Sequence, residues 1–329
     1  MGGLLISERV AKICGAEIDR IERTTGTTLE RVLLPADPAA RLTAEQLTGV
    51  EAAYFSIDVM GTQAGGFFSA LHRAPALRWL HTFNTGVDHP AFQPFLQRGV
   101  AITNHPIVAA VPIAQTAIAG LLLLARGFPH WLEAQRARTW SPQDRAHAPA
   151  RLDEQTLVVI GLGAIGSEIA RLARALGLRV IGVRRSPAQP GDPVDELHAP
   201  SALPELLPRA DWLALACPLT EHTRRLIDAA ALARLPVGAR LINVARGEIV
   251  DQDALIAALS SGRLGGAYLD VFETEPLDPA SPLWSLPNVI VTPHNAAASQ
   301  GMEERHNPGF LANLERWASK EPLHNVASR

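Results

Sequence analysis

Near the middle of this 329-residue chain one stretch leaves few folds open. Thr156-Leu157-Val158-Val159-Ile160 is a short, nearly all-apolar run of the kind that fills a buried strand. It is followed at once by Gly161-Leu162-Gly163-Ala164-Ile165-Gly166, and then by a helical pattern over 168–176. A glycine turn between a buried strand and a helix has a specific use. The first glycine permits a tight turn, the second lets a pyrophosphate approach the backbone, and the third lets the helix pack against the sheet. The helix N-terminus presents unpaired amides and the positive end of its dipole to that phosphate. The spacing predicts a dinucleotide site at Gly161, Leu162, Gly163, Ala164, Ile165 and Gly166.

The rest of the chain alternates in the same manner. Strands are predicted at 3–6, 31–34, 53–57, 78–82 and 100–103, with helices at 11–23, 44–49, 67–73 and 91–97 between them. A long apolar helix follows at Ile107–Ala125, then a helix at 131–138 and a Pro-containing loop over 141–150. A second series has strands at 156–160, 179–183, 212–216, 240–244, 266–269 and 289–291. Its helices fall at 165–176, 202–207, 229–235 and 251–260, and a last helix at 302–317 follows the final strand. Alternating strands and helices predict parallel sheets covered on both faces. The length predicts two domains. The expected fold class is α/β, with two doubly wound parallel-sheet domains. A Rossmann cofactor domain (104–295) is inserted into a flavodoxin-like substrate domain (1–103 and 296–329), with a ligand cleft between the two.

Charge and cysteine content narrow the function. Thirty basic residues face thirty-three acidic ones, which gives no basic field for nucleic acid and no polybasic run for a membrane surface. Ile107–Ala125 is long enough to span a bilayer, but its Pro112, Gln115, Thr116 and Gly120 point to a packed helix. Cys14 and Cys217 lie far apart without metal-ligand spacing, so neither a disulfide framework nor a metal site is expected. A reducing cytoplasm and no secretion signal are expected.

The end of the strand at 179–183 bears on which dinucleotide binds. An acid there would accept from the ribose 2′-hydroxyl and repel a 2′-phosphate. The chain has Arg184-Arg185-Ser186 instead. Guanidinium groups and a hydroxyl suit a phosphate, so the expected cofactor is NADP, with NAD possible.

Further motifs follow in order: Asn84-Thr85-Gly86-Val87-Asp88, Pro218-Leu219-Thr220 with Thr223, and Asn243-Val244-Ala245-Arg246-Gly247. Then come Leu269-Asp270-Val271-Phe272-Glu273-Thr274-Glu275-Pro276-Leu277, Ser281-Pro282-Leu283-Trp284 and Thr292-Pro293-His294. With these, the chain resembles the D-isomer-specific 2-hydroxyacid dehydrogenases, closest in type to NADPH-dependent glyoxylate/hydroxypyruvate reductases. The resemblance covers residue 77 onward. It implies Arg246 as the anchor of a substrate carboxylate, His294 as acid/base and Glu275 as the carboxylate that favours its protonated form. It places Cys217, Pro218, Thr223, Val244, Ala245 and Asp270 around the cofactor, and Thr85, Gly86 and Val87 with Arg246 and His294 around the substrate. It also implies a homodimer, with Ile107–Ala125 offering apolar surface. Trp140 is read either as reaching toward the partner's site or as a core residue. The sequence departs from the family at Tyr54 to Met60, at Gln115, where many relatives carry Glu, and at Asn295, where a small apolar residue is frequent. The expected reaction is hydride transfer between NADPH and a small 2-keto or 2-hydroxy acid. Another D-2-hydroxy acid as substrate, or a non-catalytic dinucleotide-sensing protein, are the alternatives.

Overall fold

The computed structural model describes residues 2–142 and 148–327, so the centre of the loop expected over 141–150 lies outside the described residues. The chain forms two compact units, Met1–Val108 with Ser299–Arg329, and Ala109–Ala298. The boundaries fall a few residues beyond those expected from the pattern.

The first unit contains a five-stranded sheet of β1 (Gly2–Ser7), β2 (Leu29–Leu34), β3 (Val50–Phe55), β4 (Trp79–Thr82) and β5 (Ala101–Asn104). The order is β2-β1-β3-β4-β5 and every pairing is parallel, which is the flavodoxin-like arrangement. β1 forms despite its two glycines. Gly3 is in close backbone approach to Gly49, its amide donating to the Gly49 carbonyl at 2.7 Å, where a Cβ would collide. One face of the sheet packs Leu5, Val32, Phe55, Phe67 and Leu80. The other packs Leu4, Ile6 and Trp79 against Ile18 of the helix Glu8–Thr25 and Phe310 and Leu314 of the C-terminal helix Met302–Ala318.

The second unit contains β6 (Thr156–Ile160), β7 (Arg179–Val183), β8 (Glu196–His198), β9 (Trp212–Leu215), β10 (Arg240–Asn243), β11 (Gly266–Leu269) and β12 (Val289–Val291). Their order, β12-β11-β10-β9-β6-β7-β8, is all parallel and reverses at β6, as in a dinucleotide-binding sheet. Val158, Ile160, Leu213, Leu215 and Leu241 are among the strand residues of its core. The helix Ile107–Ala125 is long and apolar enough to cross a membrane, and half of its most apolar window is buried here. Thr116 donates to the Ala296 carbonyl at 3.1 Å, and Tyr268 of β11 presses on Gly120. This is the packing of a core helix. Trp140, by contrast, is 96% exposed, so it is no core residue.

Candidate active site

Parallel strands release their following loops at one edge, so in the second unit the chemistry falls together by topology alone. The glycine turn follows β6, Cys217 to Thr223 follow β9, and Val244 to Arg246 follow β10. Asp270 to Glu275 follow β11, and His294 follows β12. Every catalytic and cofactor residue expected from the sequence lies at this carboxyl edge.

The glycine turn has the shape a pyrophosphate needs. Gly161 takes φ +93°, and a Cβ there would meet the Cys217 backbone at 2.6 Å. A Cβ on Gly166 would lie 1.8 Å from the Gly161 carbonyl oxygen. Gly163 differs: a Cβ on it would meet nothing within 4 Å, and the residue is exposed. The helix Ala164–Ala175 begins there with no side-chain cap and no acid in its first turn, which leaves its amides to an incoming anion. The residues present therefore fit a dinucleotide phosphate. Beside them, Thr223 Oγ1 donates to the Pro218 carbonyl and accepts from the Thr220 amide, both at 2.7 Å, closing the turn after β9.

Asp270 organises the loop after β12. It is buried, and its carboxylate accepts from Thr292 Oγ1 at 2.6 Å, from the Asn295 amide at 2.9 Å and from the Ala296 amide at 3.1 Å. The Asp270 carbonyl accepts from the His294 amide at 2.8 Å. These bonds hold His294 at φ +50°, a conformation that non-glycine residues adopt only under local constraint. In that pose His294 Nδ1 meets Glu275 Oε2 at 2.7 Å. A carboxylate at Nδ1 fixes a proton there and orients the ring, while Nε2 makes no hydrogen bond among the described residues. Both side chains are partly open to solvent. The other Glu275 oxygen accepts from the Phe272 amide at 3.0 Å, so the carboxylate is itself held in place.

Arg246 leaves β10 through a turn that Asn243 shapes. Asn243 Nδ2 donates to the Arg246 carbonyl and Asn243 Oδ1 accepts from the Ala245 amide, each at 3.0 Å. Val244 and Ala245 are buried behind it. The Arg246 and Glu275 loops are tied laterally. The Gln252 amide donates to Glu273 Oε1 at 3.3 Å, and the Glu273 amide donates to Gln252 Oε1 at 3.2 Å. Arg225 lies within 3.9 Å of the same Glu273 oxygen.

Residues 118–296 match the family model described as D-isomer specific 2-hydroxyacid dehydrogenase, NAD binding domain. The chain belongs to the D-isomer specific 2-hydroxyacid dehydrogenase family. It is accordingly an NAD(P)-dependent oxidoreductase. A glyoxylate reductase of Aeropyrum pernix is 35% identical over 267 residues, which is 79% of this chain and 78% of that one. A glyoxylate/hydroxypyruvate reductase B of Yersinia enterocolitica is 35% identical over 74% of each chain. Among solved structures, a family member from Xanthobacter autotrophicus in complex with NADPH and MES has 31% identity and a TM-score of 0.76, covering 99% of this chain and 98% of that one. An NADPH-dependent glyoxylate/hydroxypyruvate reductase from Sinorhizobium meliloti, in complex with NADP and sulfate, has 27% identity and a TM-score of 0.77 over the same shares.

Two parts of this dehydrogenase look different from what its sequence led one to expect. Arg184, expected to meet a phosphate, is committed within the protein: its guanidinium pairs with Asp192 and bonds two backbone carbonyls. Arg185 and Ser186 are exposed at the carboxyl edge, and Arg185 makes no ion pair among the described residues. In the first unit, Asn104 was not singled out by sequence. Its Nδ2 donates to the Asn84 carbonyl at 3.1 Å and to the Thr85 carbonyl at 2.6 Å. The Gly86 and Val87 amides make no hydrogen bond among the described residues. An Asn ending a strand beside a Thr-Gly turn was the signal for it.

Proposed function

We propose that the enzyme reduces small 2-keto acids such as glyoxylate or hydroxypyruvate, with NADPH preferred and NADH possible. One observation carries this reading: His294 is held on Glu275 through Nδ1 and keeps Nε2 available, at the same sheet edge as Arg246 and the glycine turn. The relatives named as glyoxylate and hydroxypyruvate reductases support the substrate class, and the NADP-containing relatives support the cofactor.

When bound, the dinucleotide would supply the hydride to the carbonyl carbon. Arg246 would hold the substrate carboxylate in its planar fork and draw charge toward the carbonyl oxygen. His294 Nε2–H would give that oxygen its proton, and Glu275 would stabilise the imidazolium beforehand and fix its tautomer afterward. Gly86 and Val87 would offer their amides to a carboxylate, with Thr85 shaping that turn. Cys217, Pro218, Thr223, Val244 and Ala245 would line the dinucleotide, and Asp270 would act on it through the loop it anchors. Arg185 and Ser186 would take the 2′-phosphate. Ile107, Val111, Phe128, Trp131, Leu132 and Trp140 expose apolar surface suited to a homodimer. Both cysteines are free and buried, in keeping with a reducing cytoplasm.

A panel of 2-keto acids of increasing size, assayed with NADPH and NADH in parallel, tests the reading. The expected result is turnover confined to the smallest acids with a higher kcat/KM for NADPH. Turnover of only bulky acids would replace the substrate class, and a clear advantage for NADH would replace the cofactor.

A further inference from the structure

The Arg184 side chain is only 12% exposed and its Asp192 partner 16%. The pair is bidentate, with Nη1 to Oδ1 at 2.7 Å and Nη2 to Oδ2 at 2.6 Å. The same guanidinium donates through Nε to the Ser186 carbonyl at 3.1 Å and through Nη2 to the Pro187 carbonyl at 2.5 Å. Asp192 Oδ2 also accepts from the Gln189 amide at 2.8 Å, and the Asp192 amide donates to the Gln189 carbonyl at 3.2 Å. Behind it the Arg184 amide donates to the His198 carbonyl of β8 at 3.1 Å. The loop after β7 contains Pro187, Pro190 and Gly191 and neither helix nor strand; this ion pair ties its two limbs at the centre, and the Asp195 bonds to Val180 tie its far end.

Such a guanidinium is a poor candidate for a ligand's phosphate. Releasing it would break four hydrogen bonds and leave a carboxylate beside the dianion. Its geometry does something else. By binding the carbonyls of residues 186 and 187, Arg184 fixes the backbone from which the exposed Arg185 and Ser186 project.

We propose that Asp192 is a specificity-determining positioning residue: it clamps Arg184 as an internal strut, and the strut presents Arg185 and Ser186 to a 2′-phosphate. This rests on the NADPH reading above. Asp192 acts through Arg184 and touches no ligand itself. The two possible jobs of Arg184 make opposite predictions for Asp192→Asn. If Arg184 were the phosphate ligand, removing its carboxylate partner would free a cation and tighten phosphate binding. If it is a strut, the same change slackens the loop and weakens binding, although a negative charge has been removed.

The test uses the whole protein without turnover. Dissociation constants are measured by calorimetry for adenosine 2′,5′-bisphosphate and for 5′-AMP, which differ by the 2′-phosphate alone. The wild type should favour the bisphosphate by about tenfold or more, the scale of one charge-assisted contact set. Asp192→Asn should lose most of that preference with 5′-AMP affinity unchanged, and Asp192→Glu should regain part of it. Arg184→Lys keeps the charge and removes the fork, so it should behave as Asp192→Asn does. Unchanged or tighter bisphosphate binding in Asp192→Asn overturns the strut, as does full preference in Arg184→Lys. A wild type with no preference for the bisphosphate overturns the NADPH reading, and the strut's role in selectivity with it. Thermal unfolding of each variant confirms that the comparison is between folded proteins.

Discussion

In the seven-stranded unit the groups we propose for the chemistry stand outside the sheet, on the loops at its carboxyl edge. In the five-stranded unit several polar side chains lie inside. Trp79 Nε1 donates to Thr103 Oγ1 at 2.8 Å, and His81 Nδ1 meets the same hydroxyl at 2.8 Å. An indole nitrogen can only donate, so Thr103 Oγ1 accepts from Trp79 while sharing its second hydrogen bond with His81 Nδ1. His81 Nε2 is buried without a partner among the described residues, as are both ring nitrogens of His306. Burial first, and the neighbouring His105 second, push the His81 imidazole down to about 3 and that of His306 down to about 4. The two histidine settings thus differ: His294 is partly exposed and paired with Glu275, whereas His81 and His306 are buried without a charged partner.

That contrast can be broken at its strongest point first. His294→Ala should lower kcat by about a thousandfold, within the range for a general acid, while fluorescence titration shows unchanged dinucleotide affinity. Near-normal turnover would leave the exposed group without a purpose. Arg246→Lys should cost about a hundredfold in kcat/KM, because a point charge replaces a planar fork.

The buried side of the comparison is tested by acid. A histidine whose folded-state pKa lies below its unfolded value of 6.5 favours the folded state fully above that pH. The advantage is withdrawn as pH falls toward about 4 for His306 and about 3 for His81. Urea unfolding across that window should show declining stability, and His306→Phe should flatten the decline. A slope unaltered by that substitution would assign acid sensitivity elsewhere. The smallest effect is expected at the lateral tie. Glu273→Ala removes one acceptor from the Gln252 amide, and kcat should fall about three- to tenfold with KM for the dinucleotide unaffected.

How much of this could be read from sequence follows the same division. Strand-ending motifs such as Asn243 to Gly247 and Thr292 to His294 are legible because a parallel sheet puts each strand's end at one edge, so linear order becomes spatial proximity. β8 was missed: it is three residues long and reads as charged, since Glu196 serves Arg179, Arg209 and His198 instead of a core. The pairing of Arg184 with Asp192 was not foreseen, because a side chain's partner eight positions away in a Pro-Gly loop has no periodicity to announce it. His81, in the run Trp-Leu-His-Thr, gives no local sign that its ring is sealed in.

The hold on His294 has a consequence for divergence within the family. Asp270 grips its loop by the main-chain amides of residues 295 and 296, not by their side chains. A side-chain change at Asn295 therefore leaves the seat of His294 unaltered, so that position can vary while the imidazole we propose as proton donor stays where it is.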